Sequence, residues 1–176
     1  MSKAVLASIK PKYCNMIEEF LKRIEVRKTR PKLETPFKVY IYCTKDNEKL
    51  LQTLHNGDTL YNGTYNGKTQ FIKTFKNDYP FWKCGKVIGE FVCDEIVPIS
   101  VYYSDISFSE GKSTFLFTGL TDREIINYLG NGNDGYGWHI SDLIIYDNPK
   151  ELQEFKSLSG SMPLKKAPQS WCYVNV

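Results

Sequence analysis

The stretch from Lys22 to Lys32 carries the densest chemistry in the chain: Lys22, Arg23, Arg27, Lys28, Arg30 and Lys32 are cationic, and Glu25 alone is acidic. Within it, Ile24-Glu25-Val26-Arg27 alternates apolar and polar residues, the pattern of a strand with one apolar face. Side chains two apart on a strand share a face, so Glu25 and Arg27 stand side by side on the polar one. A carboxylate accepts from an amine while a neighbouring guanidinium donates to a carbonyl or phosphate. A nucleobase or nucleotide offers both partners at once. The same residues also fit a solvated edge strand with an ordinary surface ion pair.

Other constellations fail on spacing. Gly67-Lys68-Thr69 and Gly111-Lys112-Ser113 lack the earlier glycine that a phosphate-binding loop needs. The segment Gly130–Gly137 joins a helix to a strand, the reverse of a dinucleotide fingerprint, and reads as a connector or a lip over a pocket. With only His55 and His139 in the chain, a catalytic metal site is not expected, and no cofactor is expected either. Tyr136, Trp138 and Tyr146 offer a stacking platform for a base, although aromatics on a strand commonly belong to the core.

The elements that must position these residues follow from periodicity. Ala4–Ser8 reads as a first strand. Pro11 opens a helix whose apolar stripe, Met16, Ile17, Phe20 and Leu21, is assigned to the core. After the basic strand, Lys38–Cys43 alternates as another, with Val39, Ile41 and Cys43 on one face and Tyr40 and Tyr42 on the other. Gly85–Val97 reads as a strand bounded by Pro98, and Ser109–Lys112 as a hairpin turn. Thr121-Asp122-Arg123-Glu124 is a capping box for a helix from Asp122 to Leu129, stopped by Gly130. Strands are expected over Trp138–Tyr146 and Trp171–Val174, with a short helix opened by Asn148-Pro149. These elements make one mixed α+β domain, a small curled sheet or barrel plugged by helices.

The formal charge of +3 is unevenly spread, with +6 over residues 1–50 and −3 over the rest. Such asymmetry favours a local anionic partner. No run approaches the ~18 apolar residues of a membrane span. Five scattered cysteines with no C-x-x-C pair fit reduced thiols in a cytoplasmic protein.

Taken in order, several blocks resemble the ASCH domains of the PUA-like superfamily, common in bacterial and phage genomes. They are Lys22-x-x-Glu25-x-Arg27, Ser8-Ile9-Lys10-Pro11, Gly85–Phe91, Gly135–Ile140 and Ala167–Val174. The resemblance covers both ends and the middle of the chain and leaves residues 45–83 and 100–120 uncovered. It implies a single domain over residues 1–176, a PUA-like small mixed β-barrel with flanking short helices, with an insertion at about 45–83. It also implies a cleft beside the signature strand and binding of RNA or a modified nucleoside. One branch of the family hydrolyses N4-acetylcytidine with a lysine, a threonine and a glutamate. The lysine corresponds to Lys22, but the threonine position is Glu25 here. A further relative is a metal-dependent ribonuclease. The family's usual glycine two residues before the lysine is Phe20, so a remodelled helix-to-strand turn is expected.

Three functions follow. In an RNA- or nucleotide-binding module, the ligand would meet Lys10, Lys22, Arg23, Glu25, Arg27, Lys28, Arg30, Trp138 and His139. Glu25 would accept from an exocyclic amine, and Arg27 and Lys22 would hold a carbonyl or phosphate. In a hydrolase, Lys22 would be the base and Glu25 the proton shuttle. In a protein-interaction domain, Tyr61, Tyr65, Phe71, Phe75, Tyr79, Phe81 and Trp82 of the insertion would anchor a protein partner.

Overall fold

The computed structural model describes residues 3–45, 83–103, 105–108, 117–158 and 162–175, and the backbone alone of strands 52–53, 59–65 and 68–74. Described in order, the elements are β1 (Lys3–Ile9), α1 (Pro11–Glu18), β2 (Ile24–Arg27), β3 (Phe37–Cys43), β4 (Gln52–Thr53), β5 (Thr59–Tyr65) and β6 (Lys68–Thr74). There follow β7 (Val87–Cys93), β8 (Ile96–Tyr102), β9 (Asp105–Phe108), α2 (Asp122–Leu129), β10 (Asp134–His139), β11 (Ser141–Lys150), a 3-10 turn at Leu152–Glu154, and β12 (Trp171–Asn175). Among the described residues the protein is mostly β with two short helices.

The strands build a five-stranded sheet, β11-β7-β3-β1-β12, and a four-stranded sheet, β2-β10-β8-β9, while β4, β5 and β6 pair among themselves. The expected barrel is not closed: no described strand pairing joins an edge of one large sheet to an edge of the other. The sheets are linked instead by chain corners, where β7 passes into β8 and β10 into β11. At that double corner His139 N donates to Glu95 O (2.9 Å), and the His139 ring bonds Asp94 (2.7 Å).

Alternation decides which faces are covered. Val5, Ala7 and Ile9 of β1 and Val39, Ile41 and Cys43 of β3 face a central core with Phe91, Trp138 and the helix residues Cys14 and Ile17. Ala4, Leu6, Tyr40 and Tyr42 face the opposite way, onto Leu152, Phe155 and Val174. Both faces of this sheet are therefore covered, which matches its apolar strands. A third cluster packs Ile125 and Leu129 of α2 on Ile24, Val26, Ile99 and Val101. Each such buried side chain contributes about 1.5–3 kcal/mol.

Several local expectations are corrected. Phe20 and Leu21 are 57% and 55% exposed, because α1 ends at Glu18 before either can join the helical stripe. Pro98 lies inside β8, opposite Tyr136, and the described β9 pairing begins only at Ile99. No helix opens at Pro149, since β11 runs extended to Lys150 before the 3-10 turn. The glycine-rich connector shrinks to Gly130–Asn133, because β10 begins at Asp134. The Thr121 capping box forms as expected, with Thr121 N donating to Glu124 Oε2 (2.8 Å) and Glu124 N to Thr121 Oγ1 (3.3 Å). The Ser109–Lys112 turn and the side chains of the aromatic set from Tyr61 to Trp82 lie outside the described residues. Among the described residues, no helix is long and apolar enough to cross a membrane.

Candidate functional site

The site begins with how α1 stops. Phe20 N donates to Ile17 O (3.0 Å) and Leu21 N to Met16 O (2.8 Å), the bond pair of a Schellman helix end. Glycine normally occupies the left-handed position of that motif; here Phe20 takes it, at φ 59°. The backbone thus makes a left-handed turn of the kind glycine favours, and Lys22 is delivered inward. Opposite, Gly119 adopts φ 66° and keeps the approach close, since a Cβ there would lie 2.8 Å from the flexible Met16 Cε and 3.3 Å from Lys22 Cβ. Residues 117–120 can thus press directly onto the lysine.

Strand β2 is held in place by β10, with Tyr136 opposite Arg27 and Trp138 opposite Glu25. A Cβ at Gly137 would sit 2.7 Å from Ile24 Cγ2, so a bare backbone is needed for this approach. The alternation read from the sequence is correct, but the polar face is not solvated. Lys22, Glu25 and Arg27 are 2%, 6% and 4% exposed.

Lys22 Nζ donates to Ile24 O (2.8 Å) and Thr118 O (2.5 Å) and lies 3.3 Å from Glu25 Oε2. Its three protons are consequently directed at protein oxygens. Burial pulls the ammonium below its ordinary pKa, and the Glu25 charge opposes that fall. Glu25 Oε1 pairs with Arg27 Nη2 at 2.9 Å. Arg27 also donates to Ser8 O (2.9 Å), Ser170 O (3.1 Å) and Ser170 Oγ (3.2 Å). Ser8 and Ser170 meet because β1 and β12 run antiparallel with Ala7 opposite Trp171. Arg27 Nε remains without a hydrogen bond, and Glu25 Oε2 meets only the Lys22 ammonium at 3.3 Å; both atoms are sealed from water.

These side chains line a cleft of about 510 Å³. Its walls add Lys10, Tyr13, Thr44, Glu124, Tyr128 and Gln169. Lys22 Nζ lies 5.4 Å from the Tyr13 ring centroid, and Lys28 Nζ lies 5.4 Å from that of Tyr128. Burial raises the Tyr13 hydroxyl above its ordinary pKa, so it is a neutral donor across the physiological range. A larger, more open depression of about 840 Å³ lies by Arg30–Thr35 and Ile96. No charged side chain is buried there, so the smaller cleft is the better candidate.

Of the sequence candidates, Lys10, Lys22, Glu25 and Arg27 converge on the cleft, and Lys28 stands beside its wall residue Tyr128. Arg23 points elsewhere, over Phe20 and into a separate recess of about 110 Å³. Arg30 lies by Tyr136, at the open depression. Trp138 is wholly buried against Phe37 and Trp171, so its faces are closed to a base. His139 serves the corner with Asp94. Tyr13, Tyr128, Glu124 and the Ser8–Ser170 rim were not singled out from sequence. Tyr13 could have been found, since Lys10-Pro11-x-Tyr13 puts it on the first turn of the helix that Pro11 opens, directly after the Ser8–Pro11 block. Tyr128, carried by an independent helix, has no such marker.

No family model matches the chain, and no curated protein matches it at a significant level. Solved structures do. The crystal structure of ASCH from Zymomonas mobilis superposes with a TM-score of 0.56 at 15% identity, covering 98% of this chain and 87% of that one. Two single-substitution variants of the same protein give TM-scores of 0.54 and 0.52, also at 15% identity, covering 99% and 98% of this chain and 91% and 88% of theirs. Two sheets joined at strand corners, with helices over the signature strand and a match spanning nearly the whole chain, give this protein the fold of an ASCH domain.

Proposed function

We propose that the protein is an RNA- or nucleotide-binding module whose ligand enters the cleft beside β2. The observation that carries this reading is the buried Lys22–Glu25–Arg27 cluster, with an acceptor on Glu25 Oε2 that meets only the Lys22 ammonium and an unpartnered donor on Arg27 Nε. A buried polar atom without a partner costs about 1–3 kcal/mol, which a ligand recovers by supplying one. An adjacent N–H and ring nitrogen, as on cytosine or adenine, offer a donor to Glu25 Oε2 and an acceptor to Arg27 Nε. Small rotations of the two side chains are needed to open these atoms. Tyr13 and Tyr128 supply aromatic surface at the same cleft, where stacking is worth about 1–3 kcal/mol per base. Lys10 and Lys28, both exposed, supply attraction for phosphate. The ASCH fold supports the reading at the level of the superfamily, without fixing the ligand.

The division of labour differs from the sequence expectation in one respect. Lys22 orients Glu25 and does not touch the ligand, because its protons are committed to Ile24 O, Thr118 O and Glu25. A panel of nucleosides and short single-stranded RNAs, read by calorimetry at two salt concentrations, tests the proposal. Binding of a neutral nucleoside abolished by Tyr13→Ala supports it. Binding that follows only phosphate number and disappears with salt would count against base reading.

The hydrolase reading retains one favourable observation, the lowered pKa of Lys22. Incubation with N4-acetylcytidine and chromatography of the products decides it, with unchanged substrate the expected result.

A further inference from the structure

Cys43 closes β3, and its backbone is clamped on both sides of the opposing segment. Cys43 N donates to Lys86 O (2.9 Å), and Gly85 N donates to Cys43 O (2.8 Å). That register brings Cys84 alongside, with the two sulfur atoms 3.8 Å apart and not disulfide-bonded. A disulfide needs about 2.05 Å, so the sulfurs must close by less than the reach of one side-chain rotation. Cys43 is buried, whereas Cys84 is partly exposed. One thiol can therefore meet an external reagent while the other waits beneath it.

From this pairing we infer that Cys43 and Cys84 form a reversible redox site, a dithiol oxidised by low-molecular-weight disulfides. The exchange proceeds in two steps. The Cys84 thiolate attacks one sulfur of the external disulfide, forming a mixed disulfide and expelling one small thiolate. Cys43 then releases its proton to solvent and attacks the Cys84 sulfur, forming the Cys43–Cys84 bond and expelling the second small thiolate. Two protein thiols lose two electrons and two protons, and the external disulfide is reduced to two thiols.

The consequence lies in where the bond sits. The cysteines bracket residues 44–83, so oxidation ties the base of that segment covalently to itself. The next residue, Thr44, lines the cleft, and its backbone N donates to Ile9 O (2.9 Å). The redox site thus adjoins one wall of the candidate site. The remaining thiols are placed differently. Cys14 lies in α1, Cys172 in β12, and Cys93 ends β7, where burial pushes its pKa up to about 12 and keeps it unreactive.

The test uses the full chain and oxidised glutathione, followed by alkylation, intact mass and peptide mapping. The expected product has lost two hydrogens, yields a linked peptide joining Cys43 to Cys84, and reverts with dithiothreitol. Cys84→Ser should abolish the link completely, and Cys172→Ser should leave it intact. A stable glutathione adduct on Cys84 with Cys43 still alkylatable after denaturation would overturn the assignment. So would a link through Cys14, Cys93 or Cys172.

Discussion

Arg27 grips Ser170 with a single guanidinium nitrogen, donating to both its carbonyl and its hydroxyl oxygen at 3.1 and 3.2 Å. Through Ser8 O at 2.9 Å the same side chain reaches β1, so one residue of the short edge strand ties together three elements far apart in sequence. The Glu25 carboxylate is held against this scaffold. Geometry at the cleft is consequently inseparable from the stability of the chain around it.

Arg27→Ala should therefore cost the fold about 3–5 kcal/mol, the penalty for removing the nearer of the two cations that hold a buried carboxylate. Ser170→Ala should cost only about 1 kcal/mol, since the Ser170 carbonyl still accepts. Urea unfolding followed by tryptophan fluorescence measures both. Similar losses in the two variants would mean that the Glu25 charge does not depend on Arg27.

Burial depresses the Lys22 pKa, so between that lowered value and the unfolded value of about 10.4 the unfolded chain binds more protons than the folded one. Through this window the lysine's contribution to stability rises with pH. The stability of the native chain minus that of Lys22→Met should accordingly increase as the pH rises toward the unfolded value of about 10.4. A difference that is flat or falling over that range would contradict the assigned direction. The partly buried Tyr13 and the buried Tyr40 and Tyr42, raised above their ordinary values, act oppositely and only from about pH 10 upward.

Phe20 in the left-handed region carries a penalty of about 1–2 kcal/mol. Replacing it with glycine removes that penalty but adds about 0.5–1 kcal/mol of chain entropy to be lost on folding. Phe20→Gly should thus leave the thermal midpoint unchanged or slightly raised, despite the loss of a phenyl ring. A clear drop would show that the Arg23–Phe20 contact at 5.1 Å outweighs backbone strain.

Gly137→Ala should separate β2 from β10, because the added methyl collides with Ile24 Cγ2 at 2.7 Å. A loss of about 1–3 kcal/mol is expected, with weakened protection of the β2 amides in hydrogen exchange. Undiminished protection would show that the strands absorb the methyl without separating.

Much of this was legible in the sequence because it is local. The alternation of Ile24-Glu25-Val26-Arg27, the faces of Lys38–Cys43 and the Thr121–Glu124 capping box each follow from neighbours on the same element. The burial of Glu25 and Arg27 is not local. It depends on β12 returning to the end of β1 and bringing Ser170 beside Ser8. Trp138 illustrates the reverse: as an aromatic residue on a strand it reads as a stacking surface for a base, but Phe37 and Trp171, distant in sequence, cover it. Tyr128 arrives on α2 through packing of Ile125 and Leu129, a contact that no spacing near the signature discloses.

The central claim is that Glu25 reads the ligand while Arg27 and Lys22 hold the Glu25 carboxylate in place. Calorimetric titration of the nucleoside and short-RNA panel into the native chain and into Glu25→Gln tests this most directly. The substitution keeps the shape of the side chain and removes its charge. The account predicts binding to the native chain and at least about a tenfold loss in the variant, the effect of one charge-assisted hydrogen bond. Equal affinity in a folded Glu25→Gln protein, or no binding by the native chain to any member of the panel, would contradict it.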